Sequence, residues 1–280
     1  MNRVFVLLPV HNRLATTARF VQMLKVQVHQ AFQLVLLDDG SRDGTAEAVA
    51  QILVGDQLHV ISGDGNWWWA GALQAGLNWL EAVPLHPGDV VLIINDDVEI
   101  APDFIETGVR VLMAHPDAVV LARLRDPRSG AVSESGVHVD FRRWILATAK
   151  EGEPVNCGST RGLFLRRTDL GRIGGFRPRW LPHYLSDYEF TMRAHRRGLD
   201  ILTVPEVVLV PDYETTGLRA IPSNLSWLAA LRELFSKRSS GNPVYWTNFL
   251  LLTCPGRFLV KNLLRVWWGA LLSLHRRRAA

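Results

Sequence analysis

Cysteine is nearly absent: Cys157 and Cys254 are the only two in 280 residues. Two thiols so far apart supply neither a disulfide framework nor a zinc cluster, which fits a reducing cytoplasm. Glycine-rich phosphate loops are missing as well. No G-x-G-x-x-G follows the first apolar run and no G-x-x-x-x-G-K-[ST] occurs, which disfavours a dinucleotide-binding Rossmann site and a P-loop nucleotidase. The sequence has no internal repeat and no low-complexity linker. No charged n-region, apolar h-region and cleavage site precede the first strand, so no secretory signal is expected. The last apolar stretch is interrupted by Lys261 and Arg265, too often for a comfortable membrane span.

What is present is ordinary for a folded protein: 48% hydrophobic and 21% charged residues, in a chain long enough to bury a sizeable core. The net charge of +4 hides an asymmetry. Residues 219–280 hold ten Lys or Arg and one acid, Glu233, a net +9 that leaves −5 on residues 1–218. This argues against nucleic-acid binding by the main body and for a tail that meets an anionic surface.

The first half alternates strand and helix signals. Apolar runs at Val4–Val10, Leu34–Leu37, Leu58–Ile61 and Val90–Ile94 read as buried parallel strands. Helical spacing predicts helices over Leu14–Val28, from an Asp43 cap through Ile52, over Ala70–Ala82, and from Pro102 onwards. This rhythm predicts a parallel, right-handed α/β sheet. After Asp117 the pattern changes: a strand over Ala118–Leu124, a hairpin within Val132–Thr148, a strand over Arg161–Leu165, a helix over Leu185–Arg197, and two short strands around Pro205. In the tail, Ser223 is a candidate helix cap. Over Phe258–His275 a narrow polar face of Lys261, Asn262, Arg265, Gly269 and Ser273 opposes a broad apolar one. That pattern suits a helix lying in a headgroup region. A helix docked on its own domain or on a second subunit is the other reading.

Four polar clusters fall at or just after strand ends: His11-Asn12, Asp38-Asp39, Asp64-Gly65-Asn66 and Asn95-Asp96-Asp97. Ligands of open α/β sheets sit at that edge. Adjacent buried carboxylates repel each other, and a divalent cation carrying a diphosphate relieves them. A solvated acidic turn is the plainer account of any one cluster.

Pro9-Val10-His11-Asn12-Arg13, Asp38-Asp39-Gly40-Ser41, Asn95-Asp96-Asp97 and Ser186-Asp187-Tyr188-Glu189-Phe190 occur in an order that resembles the family 2 inverting glycosyltransferases, over roughly residues 3–215. Asn66-Trp67-Trp68-Trp69 and Pro182-His183-Tyr184 resemble a bacterial, rhamnosyltransferase-like subgroup. The resemblance implies the GT-A fold: a mostly parallel, Rossmann-like sheet flanked by helices, with a nucleotide-sugar half near residues 1–115 and an acceptor half near 116–218. Residues 219–280 form the amphipathic helical tail. It implies that Pro9, His11 and Asn12 line the nucleotide and that Asp38 and Asp39 hold base and ribose. At the D-x-D position, Asn95 faces the ribose, Asp96 supports, and Asp97 binds Mg²⁺ or Mn²⁺. Asp187 matches the general base. Inversion needs such a base to take the acceptor's proton, although a carboxylate in a first helical turn is also favoured by the helix dipole.

Many relatives carry a further metal-binding His where this chain has Pro211-Asp212-Tyr213-Glu214, so Asp212 is the candidate replacement. Three consecutive tryptophans point in different directions and exceed what core packing needs. Asn66 and Trp69 are therefore placed near the donor. Arg161 is placed beside the diphosphate or the acceptor, with His183, Tyr184 and Glu189 toward the acceptor, while Cys157 and His138 read as structural. The expected protein is a cytoplasmic enzyme, peripheral on the inner face of the plasma membrane, and a homo-oligomer is allowed. It moves a sugar, first L-rhamnose from dTDP-rhamnose and next a UDP-hexose, onto a glycan or lipid-linked acceptor. A sugar nucleotidyltransferase and a non-catalytic scaffold of the same fold are the alternatives.

Overall fold

In the computed structural model, residues 2–133, 136–149, 153–212 and 227–278 are described. Strands β1 (Val4–Val10), β2 (Phe32–Asp38), β3 (Leu58–Ser62) and β4 (Val90–Ile93) alternate with helices α1 (Leu14–Lys25), α2 (Thr45–Ile52) and α3 (Trp68–Ala82). They pair in parallel in the order β3-β2-β1-β4. β1 has partners on both edges and helices over both faces, so nearly every residue of it is apolar and buried. Its alternation assigns the layers. Val4, Val6 and Leu8 join Phe20 and Leu24 of α1 in one core cluster. Phe5 and Leu7 join Leu73, Leu77 and Leu80 of α3 in the other.

β2 and β3 extend the sheet to one side of β1, and the chain then returns to place β4 on the other. The strand order therefore reverses between β1 and β4, and the crevice at their C-terminal ends is where such sheets bind ligands. Beyond it come β5 (Val98–Ile100), α4 (Phe104–Ala114), β6 (Ala118–Arg125), β7 (Val132–Ser133), β8 (Gly136–Asp140), β9 (Ile145–Thr148), β10 (Cys157–Gly158), β11 (Leu163–Arg166), α5 (Leu170–Ile173), α6 (Ser186–Arg196) and β12 (Asp200–Pro211). β11 runs antiparallel between β4 and β6, β12 lies parallel to β6, and β5 closes the edge. β10, β8 and β9 form a separate small sheet, which contains the expected hairpin.

Three local expectations change. Gly44, not Asp43, occupies the cap of α2; Asp43 sits one residue earlier and accepts from the Thr45 N–H and the Leu14 N–H. The two strands around Pro205 are one strand, β12, whose register shifts between Thr203 and Val208, because proline cannot donate into the ladder. The helix from Pro102 begins at Phe104. Ser223, the proposed tail cap, lies outside the described residues.

The tail makes α7 (Trp227–Leu234), α8 (Pro243–Thr253) and α9 (Gly256–Arg278). Phe249 and Leu250 of α8 pack with Val137, Val139 and Phe141 of the small sheet and with Leu259 and Leu263 of α9. Asn262 is fully buried and its amide donates to the Phe141 carbonyl at 2.8 Å. The anticipated polar stripe is thus split. Asn262 faces inward to satisfy a backbone carbonyl, and α9 turns Val260, Leu264, Trp268 and Leu271 to solvent, each more than half exposed.

Candidate functional site

At the end of β4 the three polar residues separate into different tasks. Asp96 is buried and turned to α1, where the Arg13 Nε contacts its oxygens at 2.9 and 3.0 Å and the Thr17 hydroxyl donates at 2.7 Å. Burial raises its pKa against the pull of those two partners, and the Asp97 charge adds to the rise. Asp96 therefore fastens α1 to β4. Arg13 and Thr17 were not anticipated, although their four-residue spacing puts both on one face at the start of α1. Asp97 faces differently. Its Oδ2 lies 3.9 Å from both the Arg13 and the Arg161 Nη2, and its Oδ1 is buried without a hydrogen-bond partner. An orphaned carboxylate oxygen at this sheet edge fits a hard cation. Asp212 approaches the same turn through its backbone, its N–H donating to the Asp97 carbonyl at 2.9 Å, while its carboxylate takes the Arg19 Nη2 at 2.7 Å. Among the described residues no cluster of three or more His, Cys, Asp or Glu could hold a metal. A cation here would complete its shell with substrate oxygens and water. Asn95 is half-buried at the strand end.

The loop after β1 is tied to the loop after β2. His11 Nδ1 is 2.6 Å from the Asp39 carbonyl, which can only accept, so Nδ1 carries the proton and Nε2 accepts from the Asn12 amide at 2.9 Å. Pro9 precedes them on β1, opposite Leu37. Asp38 Oδ1 accepts from Ser41 N–H at 2.9 Å. Both oxygens of Asp39 are occupied by backbone: Oδ1 by Gly65 and Trp67 N–H, Oδ2 by Trp68 N–H at 2.9 Å. Asp39 thus organises the segment 65–68. Gly40 suits this junction, since its φ is +72° and a Cβ would come within 2.9 Å of the Gly65 nitrogen. Trp68 is held at φ +56°, a strained value for a bulky residue.

Opposite β4, Arg161 follows β10 and Asp187 opens α6. Asp187 accepts from the Thr160 N–H at 3.5 Å and the Ser186 hydroxyl at 3.4 Å. Desolvation raises its pKa, opposed by those hydrogen bonds and by the Arg161 charge. The segment 160–161 thus touches both carboxylates, Arg161 at 3.9 Å from Asp97 and the Thr160 N–H on Asp187, and brings the turn after β4 close to the first turn of α6. Cys157 is buried nearby, its thiol pushed upward by burial and by the Asp187 charge, as a structural cysteine would be. His183 is also desolvated, which lowers its pKa and keeps the ring neutral. Its ring lies 4.5 Å from that of Tyr184 and 5.8 Å from that of Trp68. Glu189 is not brought to the crevice. It is buried in a two-pronged pair with Arg193, at 2.9 and 2.8 Å, with Arg177 at 3.5 Å. Trp69 packs against the α3-side core with its indole N–H buried and unpartnered. Asn66 instead lines an open cleft with Trp67.

Chemically, Arg161, with a cation held at Asp97, could neutralise an oxyanionic leaving group, and the Asp187 carboxylate could accept a proton. Residues 5–174 match Glycosyl transferase family 2, more than half of the chain. The chain belongs to that family. The match ends ahead of α6 and does not reach Asp187. Over 279 aligned residues this glycosyltransferase is 26% identical to the N-acetylglucosaminyl-diphospho-decaprenol L-rhamnosyltransferase of Mycobacterium tuberculosis (strain CDC 1551 / Oshkosh), covering 88% of this chain and 89% of that one. The fold is shared with the mannosyltransferase PcManGT from Pyrobaculum calidifontis, solved with GDP-Man and Mn²⁺: TM-score 0.58, 19% identity, 97% of this chain and 75% of that one. It is shared equally with S. aureus TarS 1–349 in complex with UDP-GlcNAc: TM-score 0.58, 16% identity, 98% and 81%. The GT-A architecture and a glycosyltransferase activity follow.

Proposed function

We propose that this glycosyltransferase inverts the sugar it transfers, from a nucleoside diphosphate to a hydroxyl of a lipid-linked glycan acceptor in bacterial surface polysaccharide synthesis. Asp187 takes the hydroxyl proton as the acceptor oxygen bonds to the anomeric carbon. The bond from that carbon to the donor diphosphate breaks on the opposite face, and the diphosphate leaves with the electron pair. The observation that carries this reading is the pair Thr160-Arg161: Arg161 lies 3.9 Å from Asp97 and the adjoining Thr160 N–H donates to Asp187 at 3.5 Å. Two adjacent residues thus join the leaving-group side to the base side. Arg161 offers a fixed fork to phosphate oxygens. A divalent cation, Mg²⁺ or Mn²⁺, would be held by Asp97 and would neutralise diphosphate charge. Asp212 is a second ligand in this reading, provided Arg19 releases its carboxylate.

For the nucleotide, Pro9, His11, Asn12 and Asp38 form the lining, Asn95 faces the ribose, and Asp39 acts through the loop it fixes. His183 and Tyr184 face the acceptor. The rhamnosyltransferase likeness favours dTDP-rhamnose as donor, with a UDP-hexose next. The bilayer reading is supported by the exposed apolar face of α9 beside Lys261 and Arg265; no described helix is long and apolar enough to cross a membrane. On this reading the protein is peripheral on the cytoplasmic face. The test is a screen of nucleotide-sugars for donor hydrolysis with Mg²⁺ or Mn²⁺. dTDP-rhamnose should turn over and Asp97→Ala should abolish the dependence on the cation. Absence of turnover with dTDP-rhamnose would overturn the donor assignment, and full turnover without a cation would overturn the metal dependence.

A further inference from the structure

A concavity is lined on one side by Asn66 and Trp67, which belong to the segment that Asp39 fixes. It is a cleft of about 590 Å³ between α3, the segment 178–182 and the start of α8. Trp67 and Asn78 form one wall, and Arg179, Lys237 and Tyr245 the other; no acidic side chain is among its described lining residues. Lys237 Nζ stands 5.5 Å from the Trp68 ring, whose other neighbour is His183, four residues before Asp187. The Trp68 and His183 rings thus connect the cleft to the segment that leads into α6.

We infer that this cleft holds the diphosphate through which the acceptor sugar is joined to its lipid. The inference rests on the lipid-linked acceptor proposed above and adds where that acceptor is gripped. Two cations with no carboxylate between them favour a multiply charged anion. Arg179 can offer a forked pair of N–H donors and Lys237 a point charge, the usual combination for phosphate oxygens. The surroundings identify the rest of the molecule. Phe235, two residues before Lys237, is exposed, and its ring centroid lies 6.4 Å from that of Trp267 on α9. From there the exposed surface continues over Leu264, Trp268 and Leu271. A charged head in the cleft would leave its hydrocarbon chain an apolar path of this kind, which a free inorganic phosphate or a soluble sugar phosphate would not use. No bond is made or broken in the cleft; it positions the acceptor hydroxyl relative to Asp187.

Calorimetric titration of the full chain with geranyl diphosphate, a water-soluble prenyl diphosphate, tests this, beside a titration with dTDP and Mg²⁺. The Arg179→Ala/Lys237→Ala variant should bind geranyl diphosphate at least about tenfold more weakly and dTDP unchanged, since two charge-assisted contacts are lost. Asp97→Ala should show the reverse. Geranyl diphosphate binding that survives the double substitution would overturn the assignment. So would displacement of geranyl diphosphate by phosphatidylglycerol vesicles, because the cleft would then read any lipid phosphate. If the parent chain binds geranyl diphosphate through Arg179 and Lys237 but binds neither dTDP nor UDP, the cleft stands and the donor reading falls.

Discussion

Asp187→Asn separates catalysis from folding, because it should move the two in opposite directions. The amide keeps the size of the carboxyl. The contacts at risk are long ones, 3.5 Å from Thr160 and 3.4 Å from Ser186, so little hydrogen-bond energy is lost. Losing a positioned general base costs about 10²–10⁴ in rate, or about 3–5 kcal/mol of transition-state stabilisation. Stability should rise instead. Burial raises the folded-state pKa of Asp187 above its unfolded value. The protonated acid is thus tolerated below the unfolded pKa, and stability is lost as pH rises through the folded one, where a charge must be buried. Asn carries no such charge, so the variant should match the parent near pH 3.5 and withstand more urea at pH 7–8. Product formation from a radiolabelled donor gives the first quantity and urea melts at the two pH values the second. Transfer by the variant at the parental rate would refute the base assignment. A variant less stable than the parent at pH 8 would refute the claim that burial of this carboxylate opposes folding.

Glu189→Ala should leave Arg193 without its carboxylate and cost about 3 kcal/mol, the order expected when one partner of a buried pair is removed; turnover per folded molecule should stay near the parental value, as urea melts and active-site titration would show. Gly108→Ala should destabilise by about 1–3 kcal/mol in a urea melt, because its Cβ would collide with the Phe164 ring; at an open helical site the same change would stabilise by up to about 1 kcal/mol. Leu264→Ser with Trp268→Ser should leave stability within about 0.5 kcal/mol, since both side chains are exposed. The same pair should release the protein from anionic vesicles in a sedimentation assay, an association that salt also weakens; unchanged sedimentation would exclude this face of α9 as the contact.

The sheet was legible because β1, β2 and β4 are buried on both faces, and double burial writes itself as unbroken apolar runs. The polar strand ends were legible for the same reason, since each closes such an apolar run. What the sequence could not convey was direction. Asp96 and Asp97 are neighbours of the same type, yet Asp96 is tied down by Arg13 and Thr17 while Asp97, at 3.9 Å from both Arg13 and Arg161, keeps one oxygen without a hydrogen-bond partner, a difference set by residues far away in the chain. Glu189 looked available two positions from Asp187, but Arg193 one turn on closes around it. Asn262 followed the periodicity of a polar stripe, and only the Phe141 carbonyl, 121 positions earlier, makes its burial favourable. The cleft of Arg179 and Lys237 escaped notice because its cations come from separate segments with no motif linking them.

The grip of Asp39 on three amides of residues 65–68 has a consequence for altering this protein. The segment that brings Asn66 and Trp67 to the cleft is held through its main chain, not through its side chains. Substituting the tryptophans would change its surface while leaving its position fixed. Selection for new acceptors would therefore act most freely on Asn78, Arg179 and Tyr245, which line the cleft from outside that segment. Asp39 itself would tolerate little change, since losing it would free three amides of this segment at once.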